Sequence, residues 1–354
     1  MTVGHGHLFV TLFGARIILL HFPLIFIFPT VFDKNDLVRF AEVTLLIAIP
    51  MTILIGFQYY LPQSHFVNVG IGGEGSSGFG GALGRFRSSG TFTFTNAVSM
   101  YYAIAASLMA GYLTGVFGRN PKWLWISLGC LLLAVPLCIS RTLAFSYALV
   151  SLAVLISGVL SPRFLGRIIP AIIVICLVLV PITQMPVFED STEAFIERWE
   201  NATESEGGEK GVRGVLESRV LNDLTGPFER LERIPLFGYG IGIGTQTGTF
   251  LFFRRRGYLL GEGEWFRVTG ELGIILSFFY LGLRLWLAGL LLIKSILQSK
   301  SGHPLPLILS PMPAFWLILG NSGQPTSLGF IVTFTGLWAL SLKTCKEDMQ
   351  ESSS

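Results

Sequence analysis

Arginine residues stand where apolar segments of this sequence end, and arginine is well suited to binding phosphate. Arg141 follows Ser140 and precedes a segment without charges. Arg85 and Arg87 lie among glycines and hydroxyl residues, which let backbone N–H groups approach an anion. The guanidinium has a permanent charge and a planar fork that matches phosphate oxygens. These residues therefore indicate anion binding, with snorkelling of Arg141 to a membrane interface as the alternative.

Carboxylates further along the chain could serve as bases. Glu262 and Glu264 precede another apolar segment, and Glu264, Arg267 and Glu271 share one face of a predicted helix through their i, i+3, i+7 spacing. Either of the first two could accept the proton of a hydroxyl nucleophile. An ordinary intrahelical ion pair is the alternative for Glu264 and Arg267. Arg284 lies deeper in the segment and is interpreted as structural.

A run of alternating glycines, residues 238 to 244, precedes these carboxylates. No strand–helix–strand unit surrounds it, so it is not a dinucleotide-binding fingerprint. One interpretation is a bend in the chain. The other is a backbone cradle for a phosphate or a sugar, to which Gly240 and Gly242 would contribute. The neighbouring arginines are candidates for the same anion or for lipid headgroups: Arg254, Arg255 and Arg256.

The elements that position these residues follow from composition, which excludes a soluble single-domain protein. Of 354 residues, 51% are hydrophobic and 13% are charged, whereas soluble domains have about 25% charged residues. A membrane-spanning helix needs about 20 mostly apolar residues. The sequence predicts an all-α integral membrane protein with about nine such helices: 8–29, 43–62, 96–118, 123–139, 142–160, 168–187, 268–293, 305–319 and 326–342.

Lysine and arginine occupy alternate connections between these segments, and short connections of this kind stay cytoplasmic. The pattern places residues 63–95 and 188–267 on the outside. The predicted organisation has four parts: an N-terminal transmembrane bundle of six helices (1–187, with the outer loop 63–95), a long extracytoplasmic loop with short helices (188–267), C-terminal transmembrane helices (268–342) and a cytoplasmic tail (343–354).

The two outer loops differ in kind. The first is rich in glycine and serine and is predicted to be flexible or re-entrant. The second has helical composition at 192–202 and 212–234, and charges of alternating sign, among them Arg219, Asp223 and Glu229, mark its later part. Such segments are typical of surface helices, here at the mouth of a bundle.

Several classes of function find no support. The 25 Lys and Arg against 22 Asp and Glu give a net charge of +3, which is too small a bias for a nucleic-acid-binding protein. The four cysteines lack metal-binding or disulfide spacing, and no cluster of His, Cys and Asp predicts a metal site. We expect neither a metal nor another cofactor.

Taken together, four segments resemble the O-antigen ligase and O-antigen polymerase superfamily of bacterial polysaccharide assembly. They are Arg87-Ser-Ser-Gly-Thr-Phe92, Ser140-Arg141, Pro235-Leu-Phe-Gly-Tyr-Gly-Ile-Gly242 and Glu262-Gly-Glu-Trp-Phe-Arg-Val-Thr-Gly-Glu-Leu-Gly273. Members of this superfamily are multi-spanning membrane enzymes of GT-C-like type. They transfer a glycan from an undecaprenyl-pyrophosphate carrier on the outer face of the bacterial inner membrane, without a metal.

The resemblance implies a glycosyltransferase of exopolysaccharide, O-antigen or lipopolysaccharide biosynthesis, with the carrier-linked oligosaccharide and membrane lipid as partners and a chain-length regulator and a flippase as further candidates. Ligases of the superfamily carry a histidine shortly before Glu-Leu-Gly. This sequence has Glu262-Gly-Glu264-Trp there, which favours the polymerase branch. The alternatives are a ligase, a transporter or flippase, and a non-catalytic assembly protein.

The site residues expected on this basis fall into two groups. Glu264, Glu262 and Arg141 are the candidate catalytic residues. The candidate pyrophosphate- or glycan-binding residues are Arg85, Arg87, Arg141, Arg254, Arg255, Arg256, Arg267, Gly240 and Gly242.

Overall fold

The computed structural model describes residues 4–68, 80, 81, 83–118, 121–207, 221–229, 232, 234–254, 257–261 and 263–351. The protein is all-helical, with 76% of the described residues in helices. No strand occurs in these ranges, where one isolated antiparallel bridge joins Gly80 and Phe86. The predicted all-α class is confirmed.

The helices begin and end close to the apolar segments predicted from the sequence. In chain order they are α1 Leu8–Ala15, a π-helical stretch Arg16–His21, α2 Leu24–Val31, α3 Lys34–Tyr60, α4 Thr95–Leu113, α5 Leu124–Leu137, α6 Arg141–Leu160, α7 Pro162–Thr183, α8 Pro186–Gly207, α9 Asn222–Glu229, α10 Gln246–Phe253, α11 Glu264–Lys300, α12 Leu305–Leu309, α13 Pro311–Leu319 and α14 Pro325–Glu351.

Six helical stretches of the described chain are long and apolar enough to cross a membrane, which indicates a multi-pass membrane protein. They are Leu8–Val31, Lys34–Tyr60, Arg141–Leu160, Phe164–Thr183, Glu264–Lys300 and Pro325–Glu347.

The other three predicted spans are helical but differ from simple membrane spans. Helix α5 has 14 residues and is therefore about 21 Å long, against about 30 Å for a bilayer core. The segment 305–319 is divided between α12 and α13, because Pro311 has no N–H to continue the helix. Helix α4 buries most of its residues, including serine and threonine, so it is an interior helix.

The chain packs into two compact units, each made of segments distant in sequence. Unit 1 comprises Met1–Phe32, Thr203–Ile293 and Pro313–Leu340, and unit 2 comprises Asp33–Ala202, Lys294–Met312 and Ser341–Ser354. These units reflect packing, whereas the predicted parts 1–187, 188–267, 268–342 and 343–354 reflect the side of the membrane on which each segment lies.

Unit 2 is a set of antiparallel helices linked by hydroxyl groups. Helix α3 packs against α4 and α5, and α6 packs against α4 and α7. The Tyr101 hydroxyl donates to the Thr44 carbonyl oxygen at 2.6 Å, and the Ser127 hydroxyl donates to the Leu45 carbonyl oxygen at 2.8 Å. These bonds satisfy polar groups that would otherwise be buried without partners, at a cost of about 1–3 kcal/mol each.

Unit 1 packs the N-terminal helices against the glycine run and α11. Gly14 of α1 and Gly242 lie so close together that a Cβ on either residue would collide with the backbone of the opposite segment. The rings of Phe22 and Tyr280 have centroids 5.6 Å apart. The two glycines thus permit a close approach of the two segments. The contact between Phe22 and Tyr280 also joins the N-terminal helices to α11.

Candidate functional site

The predicted carboxylates on α11 lie inside unit 1, in a network of four charged side chains. Glu264, Arg267, Glu271 and Arg284 are each at most 1% exposed. Arg267 donates from Nη2 to Glu264 at 2.9 Å and from Nη1 to Glu271 at 2.8 Å. Arg284 forms a second ion pair with Glu264. The two carboxylates and two guanidinium groups together carry no net charge.

Both carboxylate oxygens of Glu264 are engaged within this network. Oε1 accepts from Arg267, from Arg284 and from the Ser322 hydroxyl at 2.5 Å. Oε2 accepts from Nε of Arg267 and from the Ser322 N–H, both at 3.0 Å. A general base must lie within hydrogen-bond reach of the proton that it removes. The geometry therefore favours the ion-pair interpretation of Glu264 and Arg267 over direct contact with substrate.

Arg284 joins α11 to the end of α13. Its Nε donates to the Leu317 carbonyl oxygen at 2.7 Å, and its Nη2 donates to the carbonyl oxygens of Trp316 at 3.2 Å and Gly320 at 3.0 Å. Carbonyl groups at the end of a helix lack intrahelical donors and attract a positive charge. The contacts support the structural interpretation of Arg284.

The glycine run surrounds the carboxylate of Glu271. Gly240 and Gly242 have φ angles of +101° and +92°, which glycine adopts readily. The Gly244 N–H donates to Oε1 of Glu271 at 2.9 Å, and the Gly240 N–H donates to the Glu271 carbonyl oxygen at 3.1 Å. Backbone N–H groups gathered on an anion form a nest. Here the Gly242 and Gly244 N–H groups face the protein's own carboxylate, and the Gly240 N–H is taken by a backbone carbonyl group. Both facts favour the structural interpretation of Gly240 and Gly242.

A break in α11 at Gly273 accommodates the glycine run. Gly273 has φ 76° and ψ −179° inside the helix. Such a break leaves carbonyl groups of the preceding turn without donors from the following turn. The Tyr239 N–H donates to the Gly270 carbonyl oxygen at 2.8 Å, and the Gly240 N–H donates to the Glu271 carbonyl oxygen at 3.1 Å. A Cβ on Gly273 would collide with the backbone at the start of the run. The break and the run therefore fit each other.

Asp223 lies beside this network, although the sequence indicated only a surface helix at its position. It is half-buried in α9, and its carboxyl packs so closely on Gly263 that a Cβ there would overlap it. Burial, and after it the charge of Glu264, raise the pKa of Asp223 to about 6, although Arg284 opposes the change. Asp223 therefore titrates nearer to neutral pH than an ordinary carboxylate.

The packing of α9 explains why sequence reasoning missed Asp223. The Phe228 ring of the same helix contacts the Trp265 ring of α11, with centroids 6.1 Å apart. The alternation of charges around Asp223 predicts a helix, but it does not show which charge faces inward. The contact between α9 and α11 determines which charged residue faces inward, and the local sequence pattern does not contain this information.

Arg141 begins α6 at one end of unit 2. Ser140 caps this helix, because its hydroxyl accepts from the Leu143 N–H at 3.3 Å and shares a hydrogen bond of 2.9 Å with the Ser99 hydroxyl. The preceding Ile139 has φ +44°, in the left-handed region, and the chain turns sharply there from α5 into α6. The cap therefore fixes the position of Arg141 at the start of α6.

Arg85 and Arg87 belong to a loop at the same end of unit 2. The guanidinium of Arg85 lies over the rings of Tyr59, at 5.0 Å, and Tyr60, at 5.1 Å, which are the last residues of α3. Cation–π contact holds the flexible arginine side chain close to this end of the helix.

Buried polar contacts attach this loop to α3 and α5. Oε1 of Gln58 in α3 accepts from the N–H groups of Ser89 at 3.1 Å and Gly90 at 2.8 Å. The Ser88 hydroxyl donates to the Leu137 carbonyl oxygen, at 3.5 Å, at the end of α5. Because α5 leads directly into α6, the loop with Arg85 and Arg87 lies at the same end as Arg141.

Helix α8 contributes further polar groups to this end. Nη1 of Arg198 donates to the Gly80 carbonyl oxygen at 3.1 Å, and the hydroxyl of Tyr60 donates to Oδ2 of Asp190 at 3.4 Å. Asp190 is exposed. We call Arg85, Arg87, Arg141 and Arg198 the arginine end of unit 2. The sequence did not single out Arg198, which lies among the glutamates of α8.

The remaining predicted site residues are placed elsewhere or not described. Glu262, Arg255 and Arg256 lie outside the described residues. Arg254 ends α10 in unit 1 with φ 55°, is exposed, and has its guanidinium 5.9 Å from the Phe250 ring. That position suits either a lipid headgroup or another anion.

Among the residues described, no group of three or more His, Cys, Asp or Glu side chains could hold a metal ion. Comparison with known proteins found no matching family model, no matching curated protein and no matching solved structure.

Proposed function

We propose that this protein is a membrane glycosyltransferase that polymerises oligosaccharide repeat units carried on undecaprenyl pyrophosphate. The observation that supports it most is the arginine end of unit 2, where four arginines from one loop, the start of α6 and α8 lie at the end of membrane-spanning helices. Permanent charges with forked donors suit a pyrophosphate at the level of lipid headgroups. The motifs of Arg87 and Arg141 also resemble those of the polymerase superfamily.

In this reaction, a sugar hydroxyl of one carrier-linked unit attacks the anomeric carbon of the glycan on another carrier. The bond between that carbon and the pyrophosphate oxygen breaks, and the carrier pyrophosphate leaves with the bonding electrons. The arginines would stabilise the charge on the leaving group, which is where preorganised positive charge contributes most. The hydroxyl proton passes to a base.

Asp190 is the candidate base at this end of unit 2, because its exposed carboxylate lies beside Tyr60. Glu264, expected from the sequence to take this part, is buried with both oxygens engaged. Leaving-group stabilisation and positioning would supply most of the acceleration.

A transporter or flippase of polar solutes is the second candidate function, and the geometry of α11 favours it. Transporters place ionisable residues on broken helices within the membrane, and α11 has a break at Gly273 close to buried charges. The charges of Glu264, Arg267, Glu271 and Arg284 satisfy one another, however. A substrate would have to displace at least one of these ion pairs.

Purified protein in liposomes, supplied with one carrier-linked repeat unit, separates these functions. Products longer than one unit support the polymerase. Transfer that requires an added lipid or protein acceptor indicates the ligase, and movement of the carrier-linked unit across the bilayer without a product indicates the flippase.

Substitutions of Arg141 test the same proposal at its site. We expect Arg141→Ala to abolish polymer formation, and Arg141→Lys to be poor because the ammonium keeps the charge but loses the bidentate geometry. Lys343→Ala is the control, since Lys343 is 45% exposed and pairs at 3.7 Å with exposed Glu347. Polymer of normal length and yield from a well-expressed Arg141→Ala protein would contradict the proposed role.

A further inference from the structure

A cavity of about 190 Å³ lies at the end of unit 2 away from the arginine end. Helix α3 connects the two ends: Lys34, its first residue, lines the cavity, and Tyr60, its last, lies under Arg85. The 27 residues of α3 make the helix about 40 Å long. The cavity is therefore a separate feature from the proposed pyrophosphate site.

The side chains of one lysine, one arginine and one histidine line this cavity. Lys34 comes from α3, Arg167 from α7, and His303 from the connection between α11 and α12. None of the lining residues that the structure describes is acidic. The nearby carboxylates of Asp33 and Asp36 are held at the start of α3, where each accepts a backbone N–H of the other residue, at 2.9 and 3.1 Å. The lining therefore favours an anion.

Most of the other side chains that line the cavity are apolar. Leu37 and Leu305 are buried, and Val38 and Phe117 are partly buried, whereas Lys34 and Arg167 are exposed. Basic side chains outside and apolar side chains inside match a molecule with a charged head and a hydrocarbon tail. A free phosphate would leave the apolar wall without a partner.

We infer that this cavity binds the phosphate headgroup and the first acyl carbons of an anionic phospholipid. Basic pockets between membrane-spanning helices recognise such headgroups. Lys34, Arg167 and His303 lie in connections that the sequence predicts to be cytoplasmic. The inference does not depend on the proposed enzyme activity, because it concerns the other end of unit 2.

The test is thermal unfolding of the purified protein in micelles, with phosphatidylglycerol or phosphatidylcholine added. We expect phosphatidylglycerol to raise the unfolding midpoint more than phosphatidylcholine does. Arg167→Ala and Lys34→Ala should each weaken the apparent affinity for phosphatidylglycerol about fivefold, since one basic residue near an anionic membrane surface contributes about that much. Arg39→Ala is the matched control, because Arg39 is an exposed residue of α3 that does not line the cavity.

Each outcome decides something. Equal protection by glycerol phosphate would identify a free phosphate ligand and overturn the lipid assignment. Equal protection by both lipids would show that an anionic headgroup is not preferred and would also overturn it. An equal loss in Arg39→Ala would show only general attraction to negative charge and would overturn it as well. Each variant must unfold at the parent temperature in phosphatidylcholine. If Arg167→Ala does not, Arg167→Gln at the same position replaces it.

Discussion

At the scale of residues, the buried charges of unit 1 are the strongest electrostatic feature. A single arginine at the centre of a membrane helix costs about 2.5–3.5 kcal/mol on insertion scales. Here Arg267 and Arg284 are compensated by Glu264 and Glu271. Loss of Arg284 would leave two buried carboxylates facing the single guanidinium of Arg267. An uncompensated buried charge costs more than an ion pair contributes.

We therefore predict that Arg284→Met lowers the free energy of unfolding by about 3–5 kcal/mol. Chemical unfolding in micelles would measure it. Lys343→Ala removes an exposed ion pair and should change stability by at most about 1 kcal/mol. The double variant Glu264→Gln/Arg284→Met should be less destabilised than the sum of the two single variants. Simple additivity would contradict the coupling seen in the structure.

Asp223 gives a prediction about pH. Because its pKa is raised from 3.8 to about 6, the folded state holds this proton more tightly than the unfolded state. The contribution to stability is fully present below pH 3.8 and is lost as pH rises through about 6. Asp223→Asn should therefore flatten the decline of the unfolding midpoint between pH 4 and pH 7. A variant with the same slope as the parent would contradict this assignment.

The residue scale also shows what could be predicted. The spacing of Glu264, Arg267 and Glu271 predicts one helical face, and both ion pairs confirm it. The pairing of Arg284 with Glu264 could not be predicted in the same way, because an unbroken helix would hold these two residues of α11 about 30 Å apart. They meet because α11 is broken at Gly273. The sequence likewise marks Arg85 and Arg141, but contacts distant in sequence bring them to one end of unit 2.

At the scale of elements, apolar stretches of about 20 residues located the long helices well. The nine apolar segments are helical, and Asp33 and Ser140 cap α3 and α6 as expected of their residue types. The break in α11 was not predicted. Gly273 stands in an apolar run that continues a helical pattern, and the break forms because the glycine run packs there and binds the exposed carbonyl groups.

This dependence gives a prediction with an internal control. Gly273→Ala should destabilise unit 1, because its φ of 76° costs a non-glycine residue about 1–3 kcal/mol, and its Cβ would also collide with the glycine run. Gly282→Ala lies in the same helix with open space around it and should be neutral or slightly stabilising. Comparison of their unfolding midpoints is the measurement. Equal effects would contradict the role assigned to the break.

At the scale of the whole molecule, the alternation of basic loops predicts that the helix ends lie on two sides of the membrane, with the basic connections together on one side. Within unit 2 the structure agrees with this sorting: Lys34 and Arg167 lie at the cavity, and the loop with Arg85 lies with Arg141 at the other end. Sorting of ends does not say which end faces the cytoplasm. The positive-inside rule makes that assignment, and it places the arginine end outside.

The final prediction tests that orientation with single cysteines in a variant whose four native cysteines are replaced. Glu189→Cys, at an exposed position beside Asp190, should react with a membrane-impermeant maleimide in intact cells. Ser301→Cys, exposed beside the cavity residue Gly302, should react only after the membrane is opened. The reverse pattern would place the arginine end in the cytoplasm and rule out transfer on the outer face, while labelling of both in intact cells would show that the two ends of unit 2 are not separated by a bilayer.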